Sequence, residues 1–361
     1  MAGFEIDELN GIPPRSNALL VGHEAAEAEF LASVESGQLH HAWLICGPRG
    51  IGKATLAYRM ARHVLARPSA AQAEVGPGLF GDDLPDAGLS AGSLYLDPGH
   101  PVFRRIAAGG HSDFLAVERS VDENTKKRRN EIVVGDVRAI ASFLSMTPGE
   151  GDWRVVIIDA ADEMNGNAAN AVLKVLEEPP QQALILLIAH NPGRLLPTVR
   201  SRCRPLVLQP LQDPCVKDLL TRYAPDVGAD DLARLVAISD GSIGQALVFA
   251  GNGGLEIYDA ANELLAHLPK LDIRALHKLG DKLARDRSGE EFRTLAIILL
   301  RWLADSAKSA VKSGAGTARW AELWSEMNGL FRKAESVNLD RKQITLNAFL
   351  AIQTAAQNGR I

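Results

Sequence analysis

The segment Gly47-Pro48-Arg49-Gly50-Ile51-Gly52-Lys53 fits the pattern Gly-x-x-x-x-Gly-Lys. Such a turn, set between a strand and a helix, aims backbone N–H groups at a phosphate, and the helix N-terminus adds positive potential. The lysine then reaches the β and γ phosphates. Gly47, Pro48, Arg49, Gly50, Ile51, Gly52, Lys53, Ala54 and Thr55 are therefore the candidates for holding a nucleotide, ATP or ADP. One position departs from the pattern. The residue after the lysine normally offers a hydroxyl to Mg²⁺, and here it is Ala54. Thr55 is a poor substitute, because one step along a helix turns a side chain by about 100°. Magnesium binding is thus expected to be weak or absent, and no metal ligand is assigned. A further carboxylate, Asp159, ends an apolar run and completes the nucleotide-binding set.

The elements that must position these groups follow from the hydrophobic pattern. Trp43 to Cys46 reads as a short buried strand, and Leu56, Met60 and Val64 recur at helical spacing behind the glycine turn. Residues 24–36 show a helical pattern before that strand. Arg154 to Asp159 is a second strand, Asn167 to Glu178 a helix stopped by Pro179-Pro180, and Ala183 to Ala189 a third strand ending in His190-Asn191. Strands alternating with helices predict a parallel sheet flanked by helices on both faces. Ligands of such sheets lie at the carboxyl ends of the strands, where Gly47, Asp159 and Asn191 fall. Between Pro68 and about Gly110 the pattern dissolves into Gly, Pro, Ala and Asp and reads as a loop-rich insertion. Lys126-Lys127-Arg128-Arg129 precedes Ile132-Val133-Val134 and is placed at a hairpin tip, a solvated turn or else a DNA contact.

After Pro210 the strand signals mostly stop. Three short helical patterns, 215–223, 229–239 and 242–250, lead to a break at Gly251-Asn252-Gly253-Gly254, beyond which everything reads as helix. Trp320, Leu323, Trp324, Met327, Leu330 and Phe331 form one apolar stripe, and Phe292, Leu295, Leu299 and Trp302 another. These are bundle-core patterns rather than a cofactor pocket, and they suit an oligomerisation module.

The totals fit this division. A chain of 361 residues suggests two or three domains. Its 46% hydrophobic and 23% charged residues are ordinary for a soluble globular protein. A net charge of −5 argues against a whole-surface nucleic-acid binder and permits a local basic face. Cys46, Cys203 and Cys215 are scattered, so neither a disulfide framework nor a zinc site is supported, and a reducing cytoplasm is expected. No leader peptide or membrane span is read from the sequence.

Taken together, HAWLICGPRGIGK, VVIIDAADEMN, NAANAVLKVLEEPP and LLPTVRSRC resemble the bacterial clamp-loader subunits of the AAA+ class. The resemblance covers the first 210 residues well and the helical remainder in outline. It implies an α/β AAA+ P-loop domain over 1–210, a small three-helix lid over 211–252 and an all-α collar over 253–361. Within the family the chain resembles the non-motor, delta-prime branch rather than the gamma/tau motor. That choice rests on three missing groups. Ala54 stands for the Mg²⁺ hydroxyl, Ala160 for the glutamate after the strand-end aspartate, and Gly244 in Gly241-Ser242-Ile243-Gly244-Gln245-Ala246-Leu247 for the lid arginine. Asp162 or Glu163 as a replacement base is disfavoured, since the helix start after the strand points them elsewhere. Losing charge stabilisation and water positioning together should leave little or no intrinsic ATPase.

Ser201-Arg202-Cys203 is kept. In clamp loaders this arginine enters the ATP site of the adjacent subunit, so the resemblance implies that Arg202 acts in trans; the alternative is a surface arginine beside a core cysteine. Arg200 and Arg204 would pair with carboxylates of the same neighbour. Many relatives carry a four-cysteine zinc module after the first helix, which this sequence lacks, and His100 and His111 are read as polar loop residues. The implied partners are gamma/tau and delta subunits, with the sliding clamp and primed DNA reached through the complex, part of a DNA polymerase holoenzyme. No membrane partner is implied. An active motor subunit and a stand-alone P-loop enzyme such as a nucleotide kinase are the rival readings.

Overall fold

The computed structural model describes residues 13–68, 92–122, 128–251, 253–286, 288–313, 317–337 and 339–358. These fall into two compact units, one of Met1–Pro225 with Val236–Gln245 and the other of Asp226–Leu235 with Ala246–Ile361.

The first unit is built on five parallel strands, β1 (Ala42–Cys46), β2 (Phe114–Val117), β3 (Arg154–Asp159), β4 (Ala183–Ala189) and β5 (Arg204–Val207), in the order β2-β3-β4-β1-β5. The register pairs Cys46 with Ala189 and Asp159 with Ile188, so the three central strands end side by side. Every residue of β1 and β4 is buried, as a parallel strand covered on both faces requires. Alternate side chains feed two layers. Trp43, Ile45, Val155, Ile157, Leu184 and Leu186 pack with helices α1 (Glu24–Glu35) and α2 (Lys53–Ala66), through Phe30, Leu56, Met60 and Val64. Leu44, Cys46, Val156, Ile158, Ile185 and Leu187 face the other way. They meet Val137, Ile140 and Leu144, and Ala168, Val172 and Leu176, from two helices on that side. The expected α/β class and its three predicted strands are present.

Two local readings change. The stretch 68–110 is not loop throughout, because Pro101–Ala108 forms helix α3. Its flanking residues are helix signals: the His100 Nδ1 accepts the Val102 N–H at 3.2 Å, Pro101 occupies the first turn, and Gly109 closes the end at φ +72°. Residues 69–91 lie outside the described residues. Val134 likewise starts helix α4 (Val134–Ser145) rather than continuing a strand, and the Asp136 carboxylate accepts the Val133 N–H at 2.9 Å. Helix α5 (Gly166–Glu177) follows the turn Ala161–Glu163, and the short α6 (Pro197–Arg200) leads into β5. Arg128, within the basic run, forms an antiparallel bridge with Val121, and residues 123–127 lie outside the described residues. Arg128 pairs with Glu118 at 2.6 Å and Arg129 with Asp122 at 3.4 Å, while Lys126 and Lys127 lie outside the described residues. Helix α7 (Asp213–Tyr223) also belongs to this unit.

Helices α8 (Ala229–Ile238) and α9 (Ile243–Ala250) span the sequence boundaries between the units. The second unit then runs through α10 (Gly254–Ala266), α11 (Ile273–Arg285), α12 (Glu290–Ser313), α13 (Thr317–Val337) and α14 (Arg341–Asn358). The two predicted apolar stripes meet. Phe292 of α12 packs edge-on to Phe331 of α13, with ring centroids 5.7 Å apart, and Trp302 does the same with Trp320. Leu295, Leu299 and Met327 are buried beside them.

Candidate phosphate site and surface arginine

The glycine loop leaves β1 at Cys46 and enters α2 at Lys53. Gly47 cannot be replaced without collision, because a Cβ there would lie 2.7 Å from the Leu208 carbonyl oxygen. Gly50 sits at φ +71°, where L side chains are strained. The first ladder bond of α2 runs from the Leu56 N–H to the Gly52 carbonyl at 2.9 Å. The amides of Ala54 and Thr55 precede it, in the donor-rich turn that suits an anion. His23 supports the loop from α1's leading end. Its Nε2 lies 2.6 Å from the Ile51 carbonyl oxygen, and burial holds its pKa below the usual value, so the neutral ring donates from that nitrogen.

Lys53 is 3% exposed and its ammonium donates to the Pro48 carbonyl at 2.5 Å, folding back over its own loop. Ala54 and Thr55 are buried in the first turn of α2. Asp159 closes β3 next to β4, so the strand-end carboxylate lies on the same edge of the sheet as the loop. The residues fit a phosphate: glycine geometry, helix end and ammonium are all present. They fit magnesium poorly, since Ala54 supplies no oxygen.

The carboxylates just beyond β3 are committed. Glu163, buried at 4% exposure, pairs with Arg49 at 2.5 Å and Arg119 at 3.1 Å. Asp162 accepts the N–H groups of His190 at 3.1 Å and Asn191 at 2.9 Å. Each serves a structural partner, so neither is poised to take a proton from water. His190 stands among Arg49, Lys53 and Arg119. Burial first, and then those cations, hold its ring neutral far below the ordinary histidine range.

The segment Ser242–Gly244, also part of the first unit, lies directly on the loop. The Ser242 hydroxyl donates to the Arg49 carbonyl at 2.9 Å and accepts the Gln245 N–H at 3.1 Å. The Gly244 N–H donates to the Gly50 carbonyl at 2.9 Å. A Cβ on Gly50 would come within 2.5 Å of the Ser242 oxygen and 3.1 Å of Gly244 Cα. The segment 242–244 therefore packs directly on the glycine loop at Arg49 and Gly50.

Arg202 is far from this loop in the fold, beyond α6 at the start of β5. Its side chain is 35% exposed. One guanidinium nitrogen donates to the Thr198 carbonyl at 3.0 Å, and another meets the Glu177 carboxylate at 2.7 Å. Cys203 is core, as expected, and burial pushes its thiol up to about 12. The Arg204 guanidinium lies 4.6 Å over the Trp43 ring and 2.9 Å from Glu29, in a part-exposed pair. Arg200 is exposed. His100 caps α3, and the buried His111 Nδ1 accepts the Asp113 N–H at 3.1 Å. Among the described residues, no group of three or more His, Cys, Asp or Glu is set to hold a metal ion, and no helix is long and apolar enough to cross a membrane.

Sequence reading missed His23, Arg119 and the partners of the Arg49, Gly50 and Ile51 carbonyls. Nothing in local pattern marks them, because each acts on a group distant in the chain.

Residues 100–212 match the family described as DNA polymerase III, delta subunit. The chain is similar to the DNA polymerase III delta-prime subunit of Pseudomonas aeruginosa, 37% identical over 237 residues, which cover 65% of this chain and 63% of that one. It is 28% identical to the delta-prime subunit of Escherichia coli over 293 residues, 81% of this chain and 75% of the other. It is 25% identical to the gamma/tau subunit of Mycobacterium tuberculosis over 268 residues, 74% of this chain and 40% of the relative. The match to the Pseudomonas protein and one to Bacillus subtilis delta-prime span 63% and 61% of those relatives' lengths. Among solved structures, a gamma subunit-related protein of Thermotoga maritima aligns over 91% of this chain and 98% of its own, with 17% identity and a TM-score of 0.41. The chain is thus similar to the delta-prime subunits of DNA polymerase III.

Proposed function

We propose that this chain is the non-motor member of a clamp loader, assembled with gamma/tau and delta subunits, and that it assists ATP-driven placement of a sliding clamp on primed DNA. Its own site holds ATP or ADP as a structural ligand with little magnesium and turns it over slowly or not at all. The sequence from 211 to 252 serves as a lid and that from 253 to 361 as the collar. The chain's contribution to chemistry is Arg202, presented to the adjacent motor subunit. A guanidinium delivered there neutralises charge developing on the transferred phosphoryl group.

One observation carries this reading. Backbone of Ser242–Gly244 sits on the phosphate loop where a motor would place a sensing arginine, while Arg202 keeps a third of its side chain open to solvent. The test is a reconstituted loader carrying Arg202→Ala. Assembly should be normal, and DNA-stimulated ATP hydrolysis and clamp loading should fall by at least tenfold, in keeping with the cost of removing a trans arginine. Full activity in that variant would remove the trans role. Purified chain alone should show no Lys53-dependent ATP turnover, and robust turnover would favour the motor reading.

A further inference from the structure

Arg202 does not stand alone on the surface. Its guanidinium lies where the C-terminal ends of two helices converge: Glu177 is the last residue of α5, and Thr198 lies within α6. Helix ends of this polarity favour a cation. The α5 end is itself fixed, because His41, just before β1, is bonded through Nε2 to the Leu176 carbonyl at 3.2 Å. The Glu177 carboxylate is thus presented from a rigid element at 2.7 Å, while 48% of it stays exposed.

A part-exposed pair of this kind is weak and exchangeable. It is also the kind of contact that a phosphate oxygen can replace, since both acceptors want the same planar fork. Of the five guanidinium N–H groups, one is spent on the Thr198 carbonyl and one on Glu177. The carboxylate also places a negative charge beside the group that must receive an anion. Resting on the trans role proposed above, we propose that Glu177 is a resident counter-ion of Arg202, displaced when the neighbour's triphosphate arrives. Glu177 therefore sets how much ATP that neighbouring site needs. It does not touch the nucleotide. The Thr198 carbonyl keeps its bond through the exchange and acts as the pivot.

The experiment uses the reconstituted loader with Glu177→Gln, with Arg202→Ala and with Glu178→Gln as a control for the adjacent exposed glutamate. The reading is the ATP concentration giving half-maximal DNA-stimulated hydrolysis, taken at low and at high salt. Glu177→Gln should lower that concentration by about two- to fivefold, the range that a part-exposed ion pair supports. The difference should shrink at high salt, where such pairs are screened. Glu178→Gln should leave it unchanged, and circular dichroism and assembly should match the parent for both. A merely structural role for Glu177 would not produce a salt-dependent shift in ATP requirement. If Glu177→Gln leaves that requirement unchanged, or lowers the maximal rate as Arg202→Ala does, the counter-ion role is overturned. If Arg202→Ala itself retains full activity, the trans reading fails first, and the two failures are thereby told apart.

Discussion

Replacing Gly50 by alanine probes the contact between the phosphate loop and Ser242–Gly244. The native φ of +71° costs a residue with a Cβ about 1 kcal/mol. The added carbon would lie 2.5 Å from the Ser242 oxygen, so that hydroxyl must move and give up its bond to the Arg49 carbonyl, a further loss of about 1 kcal/mol. Gly244 Cα at 3.1 Å is backbone and yields little. The expected total is about 2–3 kcal/mol. Because the chain has two compact units, one global unfolding midpoint would mix them. Hydrogen exchange of peptides from β1 and α2 along a urea series reports the first unit alone. Gly135→Ala is the control, since nothing lies within 4 Å of its Cβ position and it should be neutral or slightly stabilising. Removing the obstructing hydroxyl should relieve part of the damage. The double variant with Ser242→Ala should therefore be less destabilised than the sum of the single variants, by about 0.5 kcal/mol or more. Strict additivity, or a Gly50→Ala protein as stable as its parent, would refute the contact.

Other outcomes follow from the same geometry. Ala54→Thr should not restore ATP turnover to the isolated chain, because Ala160 and Gly244 remain, and a phosphate-release assay measures this directly. His63 is buried and its pKa is pushed down to about 4 by burial and by Arg67, against 6.5 unfolded. Its contribution to stability is therefore present above pH 6.5 and lost as the pH falls toward 4, by up to about 3 kcal/mol. First-unit stability, read by the same hydrogen exchange of β1 and α2 peptides along a urea series, should decline less steeply between pH 7.5 and 5 in His63→Gln. Arg154→Ala should cost the first unit about 3–5 kcal/mol by the same hydrogen-exchange measurement. It strips a buried guanidinium from the carbonyls of Phe143 and Thr147 and from Asp113, which has no solvent exposure of its own.

The parts of the fold legible in sequence were those with a one-dimensional signature. The runs 155–158 and 183–189 are apolar throughout because both faces of the sheet are covered, and the glycine loop announces itself by spacing alone. Strand β2 gives no such run. At the sheet edge only Val117 of its four residues is buried, so Phe114-Leu115-Ala116-Val117 looks like any short apolar patch. Helix α3 was hidden by its own caps, since Pro101 and Gly109 resemble loop punctuation until Val102, Phe103 and Ile106 are seen to share a buried face. The site divides in the same way. Gly47 to Lys53 could be read directly. The clamp of Arg49 and Arg119 on Glu163, and the seating of Ser242 on Arg49, join residues more than forty positions apart and leave no periodic trace. Asp162 and Glu163 were set aside as bases on local chain direction, and their capture by amides and arginines became visible only in three dimensions.

The burial of two of the three cysteines has a practical consequence. Cys46 and Cys203 are shut in the core, with both thiols shifted toward higher pKa by burial, whereas Cys215 in α7 is partly open. A maleimide dye applied to the folded protein at neutral pH should therefore attach at Cys215 with little competition. The native sequence thus carries a handle for following this subunit by fluorescence, with no cysteine to add and none to remove.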